Sequence, residues 1–166
     1  MTKKDPAKLT SVKVRIPFFD IAEAEWTPDP TERKAAWALY VELVTRIAVQ
    51  ELVEDQGLLR EALTSLYSVF PSTRQILREA GPDVGAKVPS VGGYAIGILN
   101  KGLRPFLTKW HPALQEWEAT RLAGTGALAH ERAWPRHDEL REELNELRQK
   151  LEKYAIALGE IAGVAS

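Results

Sequence analysis

The sequence contains no cysteine. That excludes disulfides, thiol nucleophiles, cysteine-ligated zinc and iron–sulfur clusters. Histidine is scarce, with three residues, so an imidazole-rich metal centre has little to draw on. No stretch approaches the roughly 18 consecutive apolar residues of a membrane span, and the opening MTKKDPAKLTSVKVR has no apolar core of signal-peptide length. Net charge is almost absent, at −1, so any attraction to nucleic acid or to an anionic membrane has to be local. These absences set the expectation of a soluble, cytoplasmic protein. A further absence is positional. Acids and bases are closely mixed along most of the chain, yet no Asp or Glu occurs between Val84 and Gln115. That acid-free stretch holds Lys87, Lys101, Arg104 and Lys109 among Gly92, Gly93, Gly97 and Gly102.

At 166 residues the chain suits one core. Val12, Val14, Ile16 and Phe18 alternate with Ser11, Lys13, Arg15 and Pro17, which is strand periodicity. With Lys3, Lys4 and Lys8 they form a basic arm, expected to lie on the body or to pair with another chain. Asp20, Glu23, Glu25 and Asp29 make an acidic linker. Asp29-Pro30-Thr31-Glu32 is a helix start with a capping box, and the helix is expected to run to about Asp55. Trp37, Val41, Val44 and Ala48 form one apolar stripe and Ala36, Tyr40, Leu43 and Ile47 another, a width that predicts two helical neighbours. A second helix follows Gly57, with Leu59, Leu63, Leu66, Phe70 and Leu77 in step. Pro71, followed by the capping-box sequence Ser72-Thr73-Arg74-Gln75, predicts a break or sharp kink near Phe70. Gly81-Pro82 ends it.

The third element begins near Pro89-Ser90. Leu99, Leu103, Phe106, Trp110, Leu114 and Trp117 hold alternate spacings of four and three through Pro105 and Pro112, which predicts one kinked helix. Its glycines cost about 1 kcal/mol each relative to Ala, so tertiary packing has to hold it. Leu122–Arg136 reads as a loop. From His137, the residues Leu140, Leu144, Leu147, Leu151, Tyr154, Leu158 and Ile161 form a heptad seam, with Ile156 on its outer side as a further bundle contact. The expected fold is all-α: an antiparallel four-helix bundle over 29–166, with a kinked third helix, preceded by the extended, strand-forming arm and acidic linker of 1–28.

Catalytic motifs fail one by one. His130-Glu131 opens like a zinc-protease motif, but Trp134 stands where the second histidine belongs. His137 beside Asp138 reads as a surface or capping pair. The Glu-x-x-His signature of ferritin-like bundles is missing. Gly124-Thr125-Gly126 follows a helix rather than a strand, so it reads as a turn rather than a phosphate loop. Glu139, Glu142, Glu143 and Glu146 interleave with Arg141, Arg148 and Lys150 at helical spacing, the pattern of a solvated face. No catalytic residue, metal or cofactor is expected.

The acid-free stretch admits two accounts. In one it is the buried central helix, whose glycines let neighbouring helices approach. In the other, Lys101, Arg104 and Lys109 form a basic patch beside Trp110 and His111, able to meet anionic lipid, a phosphorylated ligand or an acidic protein surface. Pro105 and Pro112 would free the carbonyls of Lys101 and Thr108. Nucleic acid is disfavoured, because Trp110 and Trp117 sit on the apolar seam rather than exposed for base stacking. Trp26 and Trp134 lie in connecting segments and read as anchors.

The segments WALYVELVTRIA, LLREALTSLYSVFPSTRQILREAGP and GYAIGILNKGLRPFLTKWHPALQEWE resemble blocks in helical modules of bacterial conflict and signalling systems. The architecture is similar to the four-helix effector bundles of the HeLo and MLKL-like cell-death type, including the bacterial Bell domain, over Pro30 to Gln115. The basic, strand-like arm departs from the apolar N-terminal helix of pore-forming members, and GEIAGVAS carries no amyloid-type signalling motif. The resemblance implies a non-enzymatic adaptor or effector in a defence system, with a protein partner. Its alternative is a membrane-perturbing effector that moves to an anionic membrane on activation. A third expectation is an enzyme site assembled from His111, Arg104 and distant acids. Self-association through the arm or the last helix is also open.

Overall fold

The computed structural model describes residues 10–19, 23–53 and 56–164. Lys3, Lys4, Lys8, Asp20 and Asp55 of the expectations above lie outside them. The described residues are mostly helical, with a small two-stranded sheet. In that sheet β1 (Val12–Val14) pairs antiparallel with β2 (Ala24–Trp26), in the register Val12–Trp26, Lys13–Glu25 and Val14–Ala24. The arm's strand therefore finds its partner in what the sequence marks as the acidic linker. Alternation sends Val14 and Ile16 into the core and leaves Lys13 and Arg15 outside.

Helix α1 (Pro30–Val44) starts as its sequence dictates. The Asp29 carboxylate accepts from Glu32 N at 2.8 Å, and the Glu32 carboxylate accepts from Asp29 N at 3.1 Å. It ends well before Asp55. Thr45 Oγ1 donates to the Val41 carbonyl at 2.7 Å, and a 3₁₀ turn at Ile47–Val49 then turns Ala48 and Val49 into the core. Arg46 pins this turn to the next helix through Ser68 and Ser72. Only half of the wide apolar face of α1 is covered. Ala36 and Leu43 are buried, whereas Trp37 is 48% exposed and Val41 and Val44 are also exposed.

Helix α2 (Leu59–Ala80) passes through Pro71 without the expected break. Ser72 starts no new helix; its hydroxyl donates back to the Ser68 carbonyl at 3.1 Å. Pro71 is exposed, so the carbonyl it leaves unbonded one turn back lies on the solvent side. The N-terminus of α2 has no side-chain cap of its own. It is capped from a distance by Glu131, which accepts from Leu59 N at 2.7 Å and Arg60 N at 3.2 Å. Glu131 lies on α5 (Ala127–Arg132), a short helix inside the stretch expected to be a loop.

The third element is continuous from 91 to 118 but not uniform. Helix α3 (Val91–Gly97) is capped by Ser90, whose Oγ accepts from Gly93 N, while Glu32 reaches across to accept from Val91 N. A π-helical turn covers Ile98–Leu103, with Arg104 N donating to the Leu99 carbonyl. Helix α4 (Arg104–Glu118) follows, with Pro105 as its second residue, directly after the π turn. The glycines do not serve helix–helix approach. A Cβ on Gly93 would lie 2.7 Å from the Lys87 carbonyl oxygen, so the loop backbone is the neighbour there. A Cβ on Gly97 would collide with the Phe19 ring, and one on Gly102 would come within 3.0 Å of the Phe18 ring. Two of the glycines are thus seats for the arm.

Helix α6 (His137–Ala162) buries its whole seam from Leu140 to Ile161 and ends at Gly163 in the left-handed region, φ 77°. Ile156, expected to make a bundle contact, is 58% exposed. Helix α1 packs on α6, α2 and α3, and α2 packs on α4. The centre is filled by Trp110, Leu63, Leu66, Leu103, Leu114 and Leu140.

Candidate ligand groove

The five residues singled out from sequence do not form one patch. Trp110 is fully buried, and its indole N–H donates to Glu143 at 2.7 Å. Lys109 donates to the other oxygen of Glu143 at 2.5 Å and lies 3.6 Å from Glu139. Arg136 bonds Glu139 and sits 4.4 Å over the Trp110 ring. The Lys109 bond holds the Glu143 carboxyl below the usual carboxylate range, and the Arg136 bond does the same for Glu139. In return, the bond to Glu143 holds the Lys109 ammonium above its ordinary value. Lys109 and Trp110 are therefore committed to docking α4 on α6. The glutamates expected on a freely solvated face are half of that contact.

Lys101 points elsewhere, its ammonium 4.9 Å over the Phe19 ring of the arm. Arg104 and His111 are the two candidates that share a cavity. A groove of about 460 Å³ runs between α2 and α4, lined by Tyr67, Phe70 and Arg74 from one side. Arg104, Leu107, Thr108, His111, Pro112 and Gln115 line the other. Helical spacing places them: Tyr67, Phe70 and Arg74 follow at three and four, as do Arg104, Leu107 or Thr108, and His111. Among the described residues no carboxylate lines the groove.

Its electrostatics follow from that lack. The guanidinium carbons of Arg74 and Arg104 lie 5.6 and 5.2 Å from the same Phe70 ring centre. Arg104 also donates twice to Asn100 Oδ1, at 3.3 Å each. Neither arginine has a carboxylate partner among the described residues. At the far end Arg60 donates to His111 Nδ1 at 2.7 Å and is itself paired with Glu118 at 2.7 Å. A guanidinium only donates, so Nδ1 is the acceptor and the ring proton sits on Nε2. The His111 ring also meets Tyr67 edge-on, 6.4 Å between centres. The groove thus offers cations, N–H donors and apolar walls.

Arg74, Tyr67 and Phe70 were not singled out from sequence. Their mutual spacing on α2 was visible, but their meeting with Arg104 depends on how α2 packs on α4. Trp134 is buried and meets Trp110 edge-on, consistent with an anchor, while Trp117 is only half buried and stacks on His130. A second depression of about 370 Å³, near Gln50 and Arg141, mixes Glu51, Asp138 and Glu142 with Arg141 and Arg148, so it selects no charge. Comparison with protein-family models, curated proteins and solved structures finds no match.

Proposed function

We propose that the chain is a non-enzymatic helical interaction module that takes an acidic segment of a protein partner into the groove between α2 and α4. The observation that carries this is the pair Arg74 and Arg104, held over one phenylalanine in a groove that has no carboxylate among its described lining. Guanidinium is weakly hydrated, planar and suited to two-point contact with carboxylate, and arginines and aromatics dominate binding surfaces. An antiparallel four-helix arrangement of α1, α2, α3–α4 and α6 belongs to the same proposal and is supported by the packing of α1 on α6 and of α2 on α4. By the resemblance above, such a module would act as a cytoplasmic adaptor or effector in bacterial defence.

The test is titration with a labelled peptide of alternating Glu and Leu, followed by anisotropy. Arg74→Glu and Arg104→Glu, each checked for native circular dichroism, should each weaken binding at least about tenfold, the scale of a charge-assisted contact. Lys109→Glu should spare binding and lower stability instead. If both arginine variants bind like the parent, the groove is not the interaction surface.

The exposed apolar face of Trp37, Val41 and Val44 favours a second function, membrane perturbation. Among the described residues no helix is long and apolar enough to cross a membrane, so this would act at the surface. Leakage from phosphatidylserine vesicles at low salt tests it, and an absence of binding and leakage ends it.

A further inference from the structure

The groove carries more hydrogen-bond donors than one carboxylate can use. Among the described residues Arg74 lies over the Phe70 ring and makes no hydrogen bond or ion pair, so its full set of N–H donors is open. Arg104 spends two of its five N–H groups on a single oxygen, Asn100 Oδ1. Arg60 fixes the His111 tautomer, which leaves Nε2–H as a third donor on the groove wall. The two guanidiniums come from opposite helices and lie 5.6 and 5.2 Å from one ring centre, so both border the part of the groove at Phe70.

A carboxylate brings two oxygens and one charge. A phosphate monoester brings three terminal oxygens and a charge of about −1.5 to −2 at pH 7. It matches two guanidinium edges and one imidazole N–H. Tyr67 and Pro112 add flat apolar surface beside the cations, suited to an aromatic ring carrying the phosphate. The volume of about 460 Å³ fits one such side chain with part of its flanking backbone.

We infer that the groove recognises a phosphorylated tyrosine on a protein partner, with Arg74 and Arg104 holding the phosphate oxygens and His111 Nε2–H completing the set. This rests on the acidic-segment function proposed above and sharpens it to one chemical group. Partner binding would then be switched by a phosphorylation on the partner, without change to this chain.

The experiment titrates the full chain with three labelled peptides of one Glu/Leu-flanked sequence, carrying phosphotyrosine, tyrosine or glutamate at the centre. The phosphotyrosine peptide should bind at least about tenfold tighter than the glutamate peptide, as expected for extra charge-assisted bonds. Inorganic phosphate at millimolar concentration should displace it. The double variant Arg74→Lys, Arg104→Lys keeps the charge but loses the two-point geometry; it should lose the preference while still binding the glutamate peptide. Equal affinity for the phosphotyrosine and glutamate peptides would overturn the phosphate inference and leave the acidic-segment function standing. Failure of all three peptides would overturn both. Binding to phosphatidylserine vesicles with none to any peptide would overturn both in favour of a membrane surface.

Discussion

Glu143 shows how much one side chain decides. It accepts from Lys109 and from the indole of Trp110, tying α4 to α6 at the most buried aromatic in the protein. Its carboxyl, like that of Glu139, is held below the usual range in the folded state. A depressed carboxyl contributes stability that is present above the unfolded value, about 4.3, and is lost as pH falls through the lower folded value. Urea midpoints measured across the acid range should therefore decline below about pH 4, and Glu143→Gln should flatten that decline while lowering the midpoint at neutral pH. A variant with the same acid slope as the parent would show that the pair adds no pH-linked stability. Tyr154 is the opposite case. Burial pushes its phenol up, and among the described residues no partner reaches its hydroxyl. Tyr154→Phe removes a buried polar group that gains nothing, so the midpoint should hold or rise by up to about 1 kcal/mol of stability. A clear fall would reveal a partner for that hydroxyl.

At the scale of elements, the informative caps are the ones that reach across the fold. Asp29 and Glu32 cap α1 from within its own sequence, and that box is legible in four consecutive residues. Glu131 caps α2 across an interval of more than seventy residues, and no local pattern marks it. Glu131→Ala should cost about 1–2 kcal/mol, the scale of a lost helix cap, with the loss read by chemical denaturation. A loss below about 0.5 kcal/mol would mean that water replaces the cap at no cost. The π turn and its glycines make a related point. The acid-free stretch looked like a helix thinned for close packing against other helices. Gly97 and Gly102 instead receive Phe19 and Phe18, with Lys101 over one ring and Lys150 over the other. Phe18 holds φ 72°, a conformation costly for a residue with a side chain, and its ring seat on Gly102 accounts for it.

The whole molecule carries almost no net charge, so any attraction to anions has to come from local separation of charge. The structure separates it by spending Lys109 and Arg136 on Glu139 and Glu143 and leaving Arg74 and Arg104 without acids among the described residues. Peptide binding at the groove should therefore weaken steadily as salt shortens the screening length from about 10 Å at 0.1 M toward about 3 Å at 1 M. Anisotropy titrations at rising sodium chloride measure this, and salt-independent affinity would mean that the apolar walls, not the arginines, hold the ligand.

Sequence by itself determined the start and cap of α1, the apolar seams of α2 and α6, the end of α2 at Gly81 and the strand character around Val12–Val14. These follow from interactions within a few residues, which spacing records directly. Only the tertiary structure decided which cations stay unpaired. Lys101, Arg104 and Lys109 look alike along the chain, yet one lies over Phe19, one over Phe70 and one against Glu143. Their partners come from the arm, from α2 and from α6, all distant in sequence. The register in which those elements pack on the third helix, displaced by the π turn, is a property of the whole core rather than of any segment.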